Sequence, residues 1–267
     1  MDRPHSVYRD IAAELRKRIL AGEWEPGANL PRMQDLAAEF GVNRDTVARA
    51  VALLEAEGLV WAVPRRGTII RYGMLRQRRP RGDLVKRNVA TDGPGYSFPS
   101  ASGQEVWQHH VPRVSSSVPL DDPRIARFLS VPAGSMILRR HRVTGPVTEP
   151  PFQICDTWIH PRVADVPGVA GAADSPGDWL YRLEMAGHWP IEWLEYIRSR
   201  MPSKQEAELL QIPPVLPVVE IVRVGRSGSD GQPVEVTVYV IPADRVEIVH
   251  PLRRDDSAAD PWPEPGS

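Results

Sequence analysis

Cysteine is scarce in this sequence: Cys155 is the single cysteine among 267 residues, so a disulfide within the chain is excluded. Long apolar runs are also missing, because no stretch approaches the roughly 18 consecutive apolar residues that a transmembrane helix needs. The first ten residues, MDRPHSVYRD, carry charges where a signal peptide has its apolar segment. We therefore expect a cytoplasmic protein without a membrane partner rather than a disulfide-stabilised secreted domain.

An excess of charge of one sign is missing as well, since 33 Lys and Arg residues nearly balance 34 Asp and Glu residues. The charges are unevenly distributed, however. Residues 1–90 hold 17 basic against 11 acidic residues, whereas residues 91–267 hold 16 against 23. Because the length predicts two domains, this asymmetry favours a first domain that binds phosphates and a second that does not.

Residues 1–71 predict three helices followed by a β-hairpin. Apolar residues recur at spacings of four from Val7 to Ile19, which indicates a helix over residues 7–21. A second helix is predicted over 32–40, and a third over about 44–57 with Asn43 as its N-cap. Two β-prone runs on either side of residues 64–67 then predict the hairpin.

This order of elements is typical of a winged helix-turn-helix, in which the longer polar helix enters the DNA major groove. Arginine donates to guanine or clamps phosphate, and Asn and Thr contact bases or backbone. The candidate DNA-binding residues are Arg32, Asn43, Arg44, Thr46, Arg49, Arg65, Arg66, Gly67 and Thr68. The alternative is a small helical domain with solvated arginines, because the same elements occur without DNA binding.

The rest of the chain predicts a linker, an α+β domain and a tail. Residues 72–104 lack a sustained period and are rich in Arg, Gly, Pro and Ser, which is typical of a linker. Residues 105–254 alternate as strands with three short helical patterns, which predicts a mainly antiparallel sheet. The predicted strands are 136–144, 152–159, 191–201, 218–226 and 234–241, and the helices are 123–129, 178–186 and 203–210. Residues 255–267 predict a disordered tail.

Arg140 and Arg142 are the first candidates for a ligand site in the second domain. Two residues apart on a strand, their side chains lie on the same face and converge on one anion. The alternative is a solvated or salt-bridged strand face, since Arg139 lies beside them. The adjacent His109 and His110 face opposite ways and cannot chelate one metal, so we expect no metal or cofactor.

The spacing of residues 8–70 closely resembles the GntR family of bacterial regulators. The resemblance covers Tyr8 to Gly22, the Pro26-Gly27 and Leu30-Pro31 pairs, residues 36–47, residues 50–60 and Gly67-Thr68. It implies a winged helix-turn-helix whose operator contacts include the candidate residues above. Arg32 stands where the family usually has a serine that caps the second helix, so we expect that cap to be lost.

The second domain resembles the HutC-type branch of this family, whose UTRA effector domain has a chorismate-lyase-like fold. The resemblance rests on Leu129 to Arg142, a helix around Tyr181, Ala207 with Leu210, and Gly231 to Glu235. It implies an effector site that contains Arg140, Arg142, Tyr181 and Glu235. Trp179, Ile154, Cys155 and Ile241 replace polar residues of sugar-phosphate-sensing relatives, which leaves the effector unidentified.

The resemblance implies a homodimeric repressor that a small-molecule effector releases from a palindromic operator. Two alternatives stay open at this point. In the first, the second domain only dimerises and repression is independent of a ligand, as for regulators of conjugative plasmid transfer. In the second, the lyase-like domain is an enzyme fused to a DNA-binding head, although the sequence has no obvious acid–base set.

Overall fold

We describe the protein from a computed structural model. The structure describes residues 4–63, 66–71, 77–80, 85–90, 93–97, 107–147, 150–170, 178–250 and 252. The predicted tail 255–267 and much of the segment 72–104 lie outside these residues.

The N-terminal domain confirms the predicted order of helices and hairpin. The described residues form helices α1 (Pro4–Leu20), α2 (Met33–Phe40) and α3 (Arg44–Ala56), followed by strands β1 (Val60–Val63) and β2 (Gly67–Ile70). The two strands are antiparallel, with Val60 opposite Ile70 and Val63 opposite Gly67. Asn29 adds a bridge to Ile69, so the turn before α2 is fastened to the hairpin.

One apolar core holds these elements together. Leu15 and Ile19 of α1, Leu36 of α2, and Val47 and Leu54 of α3 are buried in the same cluster. The apolar residues of α3 recur at spacings of three and four, so they form one stripe along the helix. Burial of this stripe fixes the orientation of α3 against the other elements. Gly41 ends α2 in the left-handed conformation, which makes the turn toward α3 tight.

The second domain is built on an antiparallel sheet, as the sequence predicts. Its strands are β6 (Trp107–His109), β7 (Val114–Pro119), β8 (Met136–Pro146), β9 (Gln153–Ile159), β10 (Ile191–Arg200), β11 (Val218–Ser227) and β12 (Pro233–Pro242). In the described part of the chain these seven strands share one sheet, in the order β10-β11-β12-β9-β8-β6, with β7 also paired to β8. The helices of this domain are α4 (Pro123–Leu129), α5 (Pro161–Ala164), α6 (Asp178–Leu183) and α7 (Lys204–Leu210).

The two faces of the sheet have different covers. On one face, α4 and α7 bury Leu129 and Leu210 against β-branched residues such as Val222, Val236 and Val240. On the other face, α6 packs Leu180 and Leu183 over Ile159. The second face also carries Arg140 and Arg142, because β8 pairs Arg140 with Thr157 and Arg142 with Cys155.

The segment 72–104 differs from the irregular linker that the sequence predicts. It contains strands β3 (Gln77–Pro80), β4 (Lys86–Ala90) and β5 (Gly93–Ser97). β4 and β5 form a hairpin, and Tyr96 is buried in the core beside α6. β3 pairs in parallel with β13 (Val246–Val249), the strand that follows the sheet. Short strands rich in Arg, Gly and Pro lack the apolar alternation by which a strand is recognised.

The predicted helix over 178–186 is also shorter in the structure. The α-helix ends at Leu183, and a π-helical turn continues from Glu184 to His188. Gly187 within that turn has a φ of 100°, which regular helix excludes.

Glu220 on β11 connects three parts of the second domain. Its carboxylate accepts hydrogen bonds from Arg198 and Arg200 of β10, each with Nε at 2.7 Å, and from Arg124 of α4. Burial acts to raise the pKa of Glu220, but these three hydrogen bonds lower it to about 2. The ionised carboxylate therefore stabilises the contact between α4 and the sheet.

We predict that Glu220→Gln destabilises the protein in a pH-dependent way. The folded-state pKa is below the ordinary value of 4.5, so the stabilisation is present above pH 4.5 and is lost as the pH falls toward 2. The variant should be about 2 kcal/mol less stable at pH 7, a figure discounted because the arginines are partly exposed. Denaturant unfolding at pH 7, 5 and 3 measures it, with the exposed Glu208→Gln as the control. A gap of constant size across this range would contradict the assignment.

Candidate functional site

The start of α3 is organised by a cap between two candidate residues. The Asn43 side-chain oxygen accepts a hydrogen bond from the Thr46 backbone N–H at 2.8 Å and another from the Thr46 hydroxyl at 2.7 Å. Asn43 is therefore the N-cap that the sequence predicts. Since this bond occupies the Asn43 oxygen, its amide NH₂ group remains as the donor toward a DNA acceptor.

Arg44 and Arg49 present their guanidinium groups on the exposed surface of α3. Both residues are exposed, whereas Val47, Ala50 and Val51 between and beside them are buried. Within the described residues, neither arginine is in a salt bridge with an acidic side chain. Arg49 thus lies away from the buried stripe and Arg44 is exposed at the first turn of the helix, and exposed cations of this kind suit a helix that enters the major groove.

The hairpin tip supplies a second cationic position. Arg66 and Gly67 are exposed, and Thr68 is half-buried where β2 begins. Gly67 has a φ of 97°, and a Cβ there would also lie 3.3 Å from the Asn29 side-chain oxygen, so glycine is required at this turn. Arg65 lies outside the described residues.

Arg32 occupies the N-cap position of α2 but makes no side-chain cap. Its backbone is extended, with φ −61° and ψ 146°, and no hydrogen bond from its side chain satisfies the first turn. The loss of a cap expected from the sequence is therefore confirmed. The Arg32 side chain is exposed at the N-terminus of α2, and its contact with a DNA phosphate stays a prediction.

A layer of polar side chains crosses the face of the sheet that carries Arg140 and Arg142. Register places its members side by side on four neighbouring strands. We call this set the polar layer, and it consists of Arg140, Arg142, Cys155, Thr157, Arg223, Glu235, Thr237 and Tyr239. Of the four effector residues expected from the sequence, the layer brings together Arg140, Arg142 and Glu235.

Hydrogen bonds run continuously through the middle of the polar layer. The Arg142 guanidinium donates to the Thr157 hydroxyl at 2.8 Å, and Thr157 bonds to Thr237 at 3.1 Å. The Thr237 hydroxyl in turn donates to the Glu235 carboxylate. Arg142 and Glu235 are thus connected through two hydroxyl groups, which can also reorient toward a bound ligand.

Glu235 is fully buried, and a glycine makes room for it. Trp193 donates its indole N–H to the carboxylate at 3.3 Å, and the Arg223 Nε lies 3.6 Å from it. A Cβ on Gly225 would lie only 2.8 Å from the Glu235 Cγ and 3.2 Å from the Trp193 nitrogen. Because Gly225 has no side chain, the Glu235 side chain can lie close against β11.

Arg140 lies at the outer end of the polar layer beneath α6. Its guanidinium donates to the Val169 carbonyl oxygen and lies 5.4 Å from the centre of the Trp179 ring. Burial, together with the neighbouring Arg142 and Arg113, lowers the pKa of Arg140 to about 10. The cationic form of Arg140 would therefore be favoured by an added anion.

Tyr181 is not joined to the polar layer by any described hydrogen bond. It packs, partly buried, against the apolar cluster beneath α6. The aromatic residue of α6 that contacts Arg140 is Trp179, two positions earlier on the helix. The role of Tyr181 in effector binding stays a prediction from the resemblance.

The sequence reasoning missed several members of the polar layer, above all Arg223. Its signal was present, because a charged residue interrupts the β-branched run Val218–Ser227 and is only 6% exposed. Thr157, Thr237 and Tyr239 lie on the same face of the sheet as Arg223, on the two strands that follow β11 in the sheet order. Register between distant strands is needed to see this, and the sequence alone does not fix it.

The charges of the polar layer do not balance. Burial raises the pKa of the Cys155 thiol and of the Tyr239 hydroxyl, so both groups are neutral at pH 7. Three arginines then face two carboxylates, Glu235 within the layer and Glu195, which lies opposite Arg223 on β10 and attracts it. A surplus of buried positive charge is costly unless an anion accompanies it, so the layer suits a phosphate or carboxylate group. Among the described residues, no group of three His, Cys, Asp or Glu is placed to hold a metal ion.

Comparison with known proteins agrees with this two-domain arrangement. Residues 7–70 match the model of the bacterial regulatory proteins of the gntR family, and residues 113–247 match the UTRA domain. An uncharacterized HTH-type transcriptional regulator of Streptomyces coelicolor is 30% identical over 217 residues, which are 78% of each chain. The chain belongs to the GntR family and carries a UTRA domain.

Further relatives of this GntR regulator support the assignment. The histidine utilization repressor of Klebsiella aerogenes is 28% identical over 66% of this chain and 68% of its own length. A crystal structure assigned to the GntR family of transcriptional regulators covers 93% of this chain and 98% of its own, at 24% identity with a TM-score of 0.54, and shows the shared fold. The protein is therefore a transcriptional regulator with a helix-turn-helix domain, not an enzyme. In the part of the chain that the structure describes, no helix is long and apolar enough to cross a membrane.

We predict opposite effects of Arg32→Ser on stability and on DNA binding. A serine at this N-cap should restore the missing hydrogen bond and raise the free energy of unfolding by about 1 kcal/mol. Loss of the guanidinium should remove one phosphate contact and reduce the slope of log K against log salt by about 1. Arg32→Ala is the matched control, since it loses the same charge without gaining a cap. Equal stability of the serine and alanine variants would contradict the capping argument.

Proposed function

We propose that this GntR regulator is a homodimeric repressor whose affinity for a palindromic operator falls when a small anionic effector binds the polar layer. The proposal rests on the presence of two separate cationic surfaces in one chain. Arg44 and Arg49 are exposed on α3, whereas Arg140, Arg142 and Arg223 are gathered in the UTRA domain. The first surface suits the outside of a duplex, and the second suits an enclosed anion.

Operator recognition is assigned to α3, the hairpin tip and the start of α2. We assign Arg44 and Arg49, with Asn43 and Thr46, to the major groove, and Arg66, Gly67 and Thr68, together with Arg65 from the sequence pattern, to the phosphates or minor groove beside it. Arg32 adds a phosphate contact. Much of the affinity would come from phosphate neutralisation and should therefore fall steeply with salt.

A homodimer is supported by the edge of the sheet. In the described residues β10 ends the strand order, and its Leu194, Tyr196 and Ile197 side chains are exposed. A ten-residue edge strand with apolar side chains is a surface that proteins usually cover. A second copy of the chain would cover this strand. The dimer would hold its two N-terminal DNA-binding domains at successive major grooves, about 34 Å apart.

Effector binding is assigned to Arg140, Arg142 and Glu235, with Tyr181 as a further contact implied by the family resemblance. An anion would offset the surplus positive charge of the layer, and Glu235 would accept a hydrogen bond from a hydroxyl or amino group of the same ligand. Ligand binding would shift the population away from the arrangement of heads that fits the operator.

The second candidate function is a repressor that needs no ligand, because hydrogen bonds within the domain already pair some of the polar groups of the polar layer. Arg142 donates to Thr157, and Arg140 donates to the Val169 carbonyl oxygen. In that case the UTRA domain would serve dimerisation alone. Thermal-shift screening with phosphates, carboxylates and amino acids distinguishes the two candidates, since only a ligand-binding polar layer gives a gain in stability that the Arg140→Ala, Arg142→Ala double variant lacks.

Arg44→Ala and Arg49→Ala should each weaken operator binding by about tenfold or more, because a bidentate base contact contributes about 1–3 kcal/mol. Operators selected from random duplex DNA provide the probe, and gel shift at fixed salt measures the affinity. The selected sites should contain two inverted half-sites about one helical turn apart. Arg127→Gln, an exposed arginine of α4, is the control. Selection of single half-sites would contradict the dimer, and unchanged affinity of both variants would contradict the role of α3.

Arg140→Ala combined with Arg142→Ala should abolish the response to an anion found in the thermal-shift screen while operator affinity is retained. Arg140→Gln alone should weaken the response, because it removes the charge and keeps much of the side-chain volume. Arg139→Gln is the matched control, since Arg139 lies on the opposite face of the same strand and pairs with Asp156 at 2.8 Å. Release of operator by the same anion concentration in the double variant would show that the arginine pair is structural.

A further inference from the structure

A cleft of about 590 Å3 lies between the β1–β2 hairpin and the UTRA domain. The hairpin contributes Trp61, Arg66 and Ile69 to its lining, and the UTRA domain contributes His110 and Gln211. The cleft is separate from the polar layer, because no residue of that layer lines it. Its volume is within the range of about 300–1,000 Å3 typical of pockets that bind small organic molecules.

All the charged side chains that line the cleft are cationic. They are Arg66, Arg71 and Arg245, and among the described lining residues there is no carboxylate. Arg245 donates to the Pro151 carbonyl oxygen at 2.6 Å. Arg71 lies 2.8 Å from the carboxylate of Asp244, which stands behind the cleft wall. The lining therefore carries a surplus of positive charge beside apolar surface.

Buried side-chain nitrogen atoms of Arg71 and His110 in the lining have no hydrogen-bond partner among the described residues. The Arg71 side chain is only 4% exposed, and its Nη1 is one of them. The His110 Nε2 is another. Burial lowers the pKa of Arg71, and the nearby Asp244 opposes that effect. A buried guanidinium donor such as the Arg71 Nη1 is costly to leave unpaired, and an acceptor that entered the cleft would relieve the cost.

We propose that this cleft binds a small organic anion with a flat apolar body, and that such an anion weakens operator binding by holding Arg66. The anionic group would accept hydrogen bonds from Arg66 and Arg71, and the flat body would pack on Trp61 and Ile69. Because Arg66 is also a candidate DNA contact, the anion and the operator phosphates compete for one guanidinium. Binding of the anion stands on the cleft alone, whereas the effect on DNA rests on the proposed function.

Naphthalene-2-carboxylate is a suitable probe, and the neutral naphthalene-2-carboxamide is its matched control. Isothermal titration of the full-length protein should show binding of the carboxylate at least about tenfold tighter than the carboxamide, because a charge-assisted hydrogen bond is worth about 1.5–3 kcal/mol. Arg66→Gln and Gln211→Glu should each weaken carboxylate binding about tenfold. These exposed positions belong to different domains, so a loss at both shows that the two domains share the site. Unchanged unfolding temperatures verify that the variants are folded.

The experiment separates the cleft from the polar layer. The Arg140→Ala, Arg142→Ala double variant should bind the carboxylate as the unaltered protein does, and Arg127→Gln should do the same. Saturating carboxylate should lower operator affinity in the unaltered protein but not in Gln211→Glu at the same concentration. Equal binding of carboxylate and carboxamide, or loss of binding in the polar-layer variant alone, would overturn the proposal. Carboxylate binding without a change in operator affinity would overturn its second part and leave the repressor assignment intact.

Discussion

The burial of one apolar stripe of α3 is the constraint on which the DNA-binding surface depends. Val47, Val51 and Leu54 are buried against α1, α2 and the hairpin, so the rotation of α3 about its own axis is fixed. Once that rotation is fixed, Arg49 lies away from the buried stripe, and Arg44 is exposed because it is the first residue of the helix. The proposed base contacts would therefore depend on the packing of α3, which preorganises the exposed residues before DNA binds.

The polar layer of the UTRA domain depends on a different constraint, the register of antiparallel strands. Thr157 contacts Thr237 because the register places the two residues directly opposite each other, and Arg142, which lies opposite Cys155, reaches Thr157 diagonally on the same face. Gly225 is the exception to the alternation of large side chains, and its missing Cβ leaves space for Glu235. The layer lies between two apolar clusters of the same face, so water is restricted there and the surplus of positive charge acts at close range.

Sequence patterns predict the elements of this fold better than the contacts between them. The stripe of α3, the Asn43 cap and the hairpin follow from spacing within a few residues, and the structure confirms each of them. The contact of Arg140 with Trp179 did not follow, because α6 and β8 are 30 or more residues apart and family resemblance pointed to Tyr181. The strands within 72–104 were missed for a related reason. β3 exists by pairing with β13, which lies far along the chain, and its own residues show no apolar alternation.

The connection between the two domains links the exposed surface of α3 to the polar layer. Arg71 follows β2 directly and is buried against Asp244 at the end of the sheet domain. A buried ion pair adds little net stability, because desolvation offsets most of its attraction, but separating its partners leaves a buried charge uncompensated. β3 and β13 continue the same two chain segments and pair with each other just beyond. The N-terminal domain is therefore connected to the sheet domain at two successive points, the ion pair and the pairing of β3 with β13. A change in the orientation of the N-terminal domain has to break the ion pair or move both chain segments with it. Such a junction favours a few discrete orientations over a continuous range, which is the property a ligand needs in order to shift DNA binding.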